Sequence, residues 1–217
     1  MKNLFITFEG IEGCGKTTQA KLLVDKLRQC HAPVLLTREP GGTRIGDQIR
    51  KIVLSPENTD IVPLAELLLY EASRAQHVQE LILPNLRNGV TVICDRYGDA
   101  SIAYQGAGRN LPPELVQEAN RLATGGLQPD LTLLIDVTPE IGLARARARN
   151  MAFKFAAAEG RFEEEDLRFH RAVRDGYLTL LREHPARFRL IDGSGSIEDA
   201  QRRIQETVLP LFDGQIS

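Results

Sequence analysis

Residues 4–23 read LFITFEGIEGCGKTTQAKLL. An apolar run, Leu4 to Phe8, meets a glycine cluster, then Lys16-Thr17-Thr18, then an amphipathic stretch. Gly10, Gly15, Lys16 and Thr17 satisfy the spacing G-x-x-x-x-G-K-[ST] of a P-loop. Glycines let backbone N–H groups turn inward around a phosphate with no Cβ in the way. The helix opening near Lys16 aims the positive end of its dipole at the same anion. Lys16 adds a point charge for the outer phosphates, and the Thr17 hydroxyl is a hard ligand for Mg2+. A plain glycine turn needs none of these side chains. Strand, loop and helix agree, so Gly10, Ile11, Glu12, Gly13, Cys14, Gly15, Lys16, Thr17 and Thr18 are expected to hold a nucleoside triphosphate such as ATP.

Working outward, apolar β-like runs recur at 4–8, 33–37, 90–95, 131–137 and 188–192. Helical patterns lie between them, over about 16–30, 44–54, 62–88, 112–124, 139–149, 163–184 and 196–211. Continuous apolar strands alternating with amphipathic helices predict a parallel sheet covered on both faces. The expected fold is therefore a P-loop three-layer α/β/α domain with a five-stranded parallel sheet, filling residues 1–217 without a linker. The stretch NMAFKFAAAEG (150–160) interrupts two helical patterns and is flanked by arginines. A short insert beside a phosphate site predicts a mobile lid at about 149–162.

Composition narrows the function classes. With 42% hydrophobic and 26% charged residues, this is an ordinary globular chain. A net charge of −2 argues against a broad nucleic-acid surface. No apolar run reaches the ~18 residues of a membrane span, and no leader pattern opens the chain. Cys14, Cys30 and Cys94 have no C-x-x-C spacing, so reduced thiols and a cytoplasmic location are expected.

Further chemistry gathers at strand ends. The stretch VTVICDRYGDASIAYQGAGR (90–109) ends a buried strand in Asp95-Arg96. Ligands of open α/β sheets sit beyond the carboxyl ends of the strands. Asp95 is placed to hold Mg2+ with Thr17, and Arg96 to clamp a second phosphate. A structural ion pair is the alternative for either residue alone. TREPGGTRIGDQIRKIVL (37–54) turns at Pro40-Gly41-Gly42 and then carries Arg50 on a helix, where a lone arginine is usually solvated. LLLYEASRAQH (67–77) puts Tyr70 and Arg74 at i, i+4 on one helix face, which suits a planar base; a core tyrosine with a surface arginine fits the same spacing. Arg145 and Arg149 share a helix face from which Arg147 points away. The acidic run Glu163 to Asp166 reads as a helix first turn, with no metal assigned to it. The four histidines have no ligand or triad spacing.

These stretches together resemble the bacterial form of the thymidylate kinases, within the P-loop nucleoside monophosphate kinases. The likeness runs nearly end to end, through FEGIEGCGKTT, TREPGGT, YEASRAQH, CDRYGDASIAYQG, PDLTLLIDV and RFEEEDLRFH. Asp95-Arg96-Tyr97 with Ser101 and Ala103-Tyr104-Gln105 resembles the family signature, which is far more specific than the P-loop. The resemblance implies transfer of a phosphoryl group from Mg-ATP to dTMP, giving dTDP for dTTP biosynthesis. It implies Tyr70 stacked on thymine, Arg74 at the base edge, Ser101 and Gln105 lining the base pocket, and Tyr104 under the sugar. Glu12, Glu39, Pro40, Arg50 and Arg96 would surround the sugar and acceptor phosphate, with a cis bond at Glu39-Pro40. Lys16, Arg96 and Arg149 would be catalytic, Arg149 as a lid arginine because GCGK offers none. The family also implies a homodimer, with no nucleic acid and no membrane as partner. A kinase for another nucleotide or nucleoside, and a P-loop switch NTPase, are the alternatives; the guanine-reading N-K-x-D stretch of such switches does not occur.

Overall fold

The apolar runs form strands because neither face of them can remain wet. They are β1 (Phe5–Glu9), β2 (Val34–Arg38), β3 (Thr91–Asp95), β4 (Leu131–Asp136) and β5 (Phe188–Asp192). The computed structural model describes residues 3–152 and 160–212. It pairs all five strands in parallel, in the order β2-β3-β1-β4-β5. The chain leaves β1 toward one edge and later crosses to the other side, so a crevice opens beyond the carboxyl end of β1. The register Phe8↔Asp95 sets the last residue of β3 beside that opening.

The helices cover both faces of the sheet. α1 (Lys16–Gln29) opens on Gly15, whose φ of 104° is left-handed and free of strain only for glycine. Thr43 caps α2 (Arg44–Leu54) by accepting from Gly46 N at 3.0 Å. α3 (Pro63–His77) begins with proline, passes through a π-helical turn (Val78–Ile82) and continues as α4 (Leu83–Arg87). This is the long helix expected over 62–88. α6 (Pro113–Thr124) ends on Gly125 at φ 60°, and α7 (Pro139–Ala152) follows β4. α9 (Ile197–Val208) is capped by Ser196 and leads into a 3-10 turn (Leu209–Phe212).

Residues 98–108 depart from the sequence expectation, which assigned them no helix. α5 (Gly98–Ser101) runs into a π-helical segment (Ile102–Gly108). Gly106 and Gly108 look like loop punctuation, but Gly108 serves close packing against α8 (Leu167–Glu183), whereas a Cβ on Gly106 would meet open space. A Cβ on Gly108 would press on Phe169 and Val173, and one on Gly176 would press on Ala103 and Ala107. The acidic run is a second correction. Arg161–Glu164 form a 3-10 turn, and α8 starts only at Leu167, with Asp166 accepting from Phe169 N at 2.8 Å. Asp166 is thus a cap and not part of a helical first turn. α7 also runs past residue 149 to Ala152. Of the expected lid, residues 153–159 lie outside the described residues.

The P-loop is seated backbone against backbone. A Cβ on Gly10 (φ 137°) would collide with the Ile135 carbonyl, one on Gly13 (φ 67°) with the Gly142 carbonyl, and one on Gly142 with the Glu12 carbonyl. Gly142→Ala should therefore cost about 1–3 kcal/mol. At roughly 2–4 °C per kcal/mol, thermal unfolding should show a clear fall in Tm. An unchanged Tm would mean that α7 yields freely.

Candidate active site

The loop after β1 holds its own lysine. Lys16 Nζ donates to the carbonyls of Gly10 at 3.0 Å and Ile11 at 2.8 Å, with Cys14 Sγ at 3.4 Å. The Thr17 hydroxyl donates to Asp95 Oδ2 across from it. Two hard oxygen ligands thus converge at the loop, a donor pair that suits Mg2+. Arg96 follows directly and bridges the elements around it. Its Nη1 donates to Gly10 O at 3.0 Å and Tyr177 Oη at 3.2 Å. Its Nη2 donates to Glu12 Oε1 and Tyr104 Oη, both at 2.9 Å.

Burial pushes the Glu12 carboxyl up, but His170, Arg96, Lys16 and Tyr104 hold it well below the usual carboxylate range. His170 Nδ1 lies 3.4 Å from Glu12 Oε2, too poorly aligned for a full hydrogen bond. Glu9, at the end of β1, behaves oppositely. Burial and the nearby Asp99 push its carboxyl up to about 8, against the pull of Arg96 and hydrogen bonds from Tyr177 and Tyr97.

One cavity of about 670 Å³ joins this loop to a second chamber. Glu12, Gly13, Lys16, Thr17, Asp95 and Arg96 line its P-loop side. Glu39, Pro40, Arg50, Tyr70, Tyr104 and Gln105 line the far side, and Arg149 reaches its rim. Gly10, Ile11, Cys14, Gly15, Thr18, Arg74 and Ser101 are not part of its wall. The bond between Glu39 and Pro40 is cis, as expected. Arg50, which by itself reads as a solvated helix residue, turns inward and donates to Pro40 O at 2.9 Å.

Arg74 is only 1% exposed, so the surface-arginine alternative does not hold. It is the charge hub beneath the cavity. Its Nε donates to Glu39 at 2.8 Å, and its Nη1 to Glu71, Ser101 at 3.0 Å and Asn120 at 2.7 Å. Its Nη2 donates to Tyr97 O at 3.2 Å, which leaves one N–H on that atom for anything else. Burial alone would weaken its proton hold, yet Glu71 and Glu39 keep it charged far above ordinary pH. Glu39, His77 and Cys94 also bring possible metal ligands within 4.8 Å of one another. Both His77 nitrogens are already engaged, Nδ1 by Glu39 at 2.8 Å and Nε2 by Thr37 at 2.7 Å, so that group is a hydrogen-bond chain.

Several wall residues carry no local sequence signal. Phe162, in the 3-10 turn, packs across Tyr104 with ring centroids 5.3 Å apart and beside Tyr70 at 6.4 Å. Glu163 reaches the wall and pairs with Arg149 at 2.5 Å. Burial raises the Glu163 carboxyl despite that pair. The arginines of α7 part company: Arg145 donates to Gly193 O at 2.7 Å and Ser194 O at 3.2 Å, away from Glu163. Arg161 turns inward to Val53 O and Glu66, both at 2.6 Å.

A P-loop at the end of the central strand, a carboxylate on the next strand and an arginine-rimmed second chamber define a P-loop phosphotransferase. The comparisons name the family. The thymidylate kinase family profile matches residues 8–204, and the chain belongs to that family. It is 54% identical over 204 residues to a thymidylate kinase of Geobacter sp. (strain M21), covering 94% of this chain and 90% of that protein. It is 52% identical over 202 residues to one of Syntrophotalea carbinolica, covering 93% of each. The crystal structure of thymidylate kinase from Ehrlichia chaffeensis superposes with a TM-score of 0.78 at 32% identity, over 96% of this chain and 99% of that one.

Removing the Arg74 guanidinium would strand the buried carboxylates of Glu39 and Glu71. Arg74→Ala should therefore lose about 3–5 kcal/mol of folding stability. Urea unfolding checks this; a loss below ~1 kcal/mol would show that the buried carboxylates are not relying on it.

Proposed function

We propose that this protein transfers the γ-phosphoryl group of ATP directly to dTMP, giving dTDP. The observation that carries the reading is a cavity in which the P-loop and the Tyr70–Gln105 chamber meet at Arg96. ATP lies along the P-loop, and dTMP fills the far chamber with its phosphate toward Arg96 and Arg50. Tyr70 and Phe162 offer faces to the base, and Tyr104 lies under the sugar.

The attacking atom is a phosphate oxygen that is already ionised, so no strong general base is required. The obstacle is repulsion between two anions, about 4 kcal/mol per unit pair at ~4 Å and an effective dielectric near 20. Lys16 and Arg96 offset it because both are already held at the loop. Mg2+ bound by Thr17 and Asp95 would neutralise further phosphate charge. The chamber aligns the reactants, and exclusion of water protects ATP from hydrolysis.

A homodimer is part of the proposal. It is supported by the resemblance and by exposed leucines on α3 (Leu64, Leu68) and α6 (Leu115, Leu122). A monomeric mass by light scattering would overturn it. Cytoplasmic residence is supported by three free cysteines, and cell fractionation checks it. No helix among the described residues is long and apolar enough to cross a membrane.

A panel of nucleoside monophosphates with Mg-ATP tests the reaction. dTMP should be the best acceptor, dUMP slower and the ribonucleotide TMP poor. One methyl in a fitted pocket is worth only ~1–3 kcal/mol, so dUMP should be slow but not excluded. Equal rates with AMP, CMP or GMP would sink the assignment.

Arg149 supplies a second test. It is half exposed and held by Glu163, so it can exchange that carboxylate for a phosphate. A planar guanidinium spans two phosphate oxygens, which an ammonium cannot. Arg149→Lys should lower kcat by up to ~10³–10⁵-fold with little change in either KM. Near-normal kcat in both Arg149→Lys and Arg149→Ala would remove it from the mechanism.

A further inference from the structure

Gln105 lies on the cavity wall, and its Nε2 donates to Glu66 Oε1 at 2.8 Å. An ionised carboxylate only accepts hydrogen bonds, so it can take an amide only by its NH2 end. The carbonyl end of Gln105 must then face away from Glu66. Among the described residues nothing donates to Gln105 Oε1, and that oxygen is not sealed in the interior. It is left to the cavity.

Glu66 itself is fully buried on α3, and two arginines compensate its charge. Arg161 Nη2 donates to it at 2.6 Å and Arg109 Nη2 at 3.1 Å. Arg161 belongs to the arm that follows the expected lid and carries Phe162 into the cavity wall. One carboxylate therefore sets the Gln105 amide and anchors that arm. Sequence reading assigned Glu66 no function, because an acidic residue in the first turn of a helix is ordinary.

We propose that Glu66 is a specificity-determining positioning residue: it holds Gln105 with Oε1 toward the acceptor base, so that the pocket selects a pyrimidine offering an N3–H. The inference rests on reading the far chamber as the dTMP site. Thymine and uracil present N3–H to such an oxygen. Cytosine presents a bare N3 acceptor, and two acceptors face to face leave both unpaired. Without the carboxylate, Gln105 can rotate its amide and present NH2, which cytosine accepts.

Steady-state kinetics with dTMP and dCMP test this. Glu66→Gln should raise KM for dTMP about tenfold, with kcat at saturating dTMP within about threefold. It should lower the dTMP-over-dCMP preference in kcat/KM by at least about tenfold. Equal losses for the two nucleotides, or an unchanged preference, would reduce Glu66 to a structural residue and overturn the proposal. The exchanged pair, Glu66→Gln with Gln105→Glu, keeps the charge of the cluster and again turns an acceptor oxygen to the cavity. It should recover the preference to within about threefold of wild type. It decides the question even if the single variant does not fold, since a lost preference there would also overturn the proposal. Failure of the wild type to use dTMP is a different outcome, which would defeat the assigned reaction itself.

Discussion

The Arg96 guanidinium holds the P-loop side of the cleft together. Its backbone sits at φ 72°, a left-handed conformation that costs a non-glycine residue about 1–3 kcal/mol. The surrounding bonds over-determine it. The same side chain reaches the P-loop carbonyl of Gly10, Glu12, Tyr104 on the π-helical segment and Tyr177 on α8. Burial would weaken its proton hold, but Tyr104, Tyr177, Glu12 and Glu9 raise it well above even the usual arginine value. The positive charge is therefore in place before any substrate arrives, which is the condition for electrostatic catalysis without reorganisation.

Two buried charge hubs support the far chamber in the same way. Arg74 draws Glu39, Glu71, Ser101 and Asn120 to one point, and so ties the loop after β2 to α3 and α5. Glu66 draws Gln105, Arg109 and Arg161, and so ties α3 to the π-helical segment and the 3-10 turn at Arg161–Glu164. Buried ion networks are a weak source of stability, because desolvation offsets most of the Coulomb gain. Their value here is geometric: each fixes the orientation of polar groups at or beneath the cavity wall.

Small residues let these hubs approach one another. The π-helical segment lies flush on α8 because Ala103, Ala107, Gly108 and Gly176 offer little bulk at the crossing. That places Tyr104 within reach of both Phe162 and Arg96. The P-loop depends on the same device at Gly13 and Gly142, where backbone meets backbone.

Much of this was legible in the sequence. Apolar runs that bury both faces announced the parallel sheet, and the P-loop spacing announced the glycine loop between β1 and α1, because each is a local pattern with a local physical cause. Resemblance to one family pointed to Tyr70, Arg96 and Gln105, all of which meet at one cavity. The sequence alone misread residues 98–108, since glycine marks a turn and a tight helix crossing with the same letter. It placed the acidic run in a helix, although a 3-10 turn and a single capping aspartate use it differently. It was silent on Glu66, Phe162 and Tyr177, and on the pairing of Glu163 with Arg149. Their meaning comes from partners far along the chain, such as Glu66 with Arg161 and Glu9 with Tyr177. Local pattern determines which segments become strands, loops and helices, because backbone hydrogen bonding and burial act within a few residues. Only the tertiary structure decides which buried charge meets which, because that pairing is set by how the elements pack.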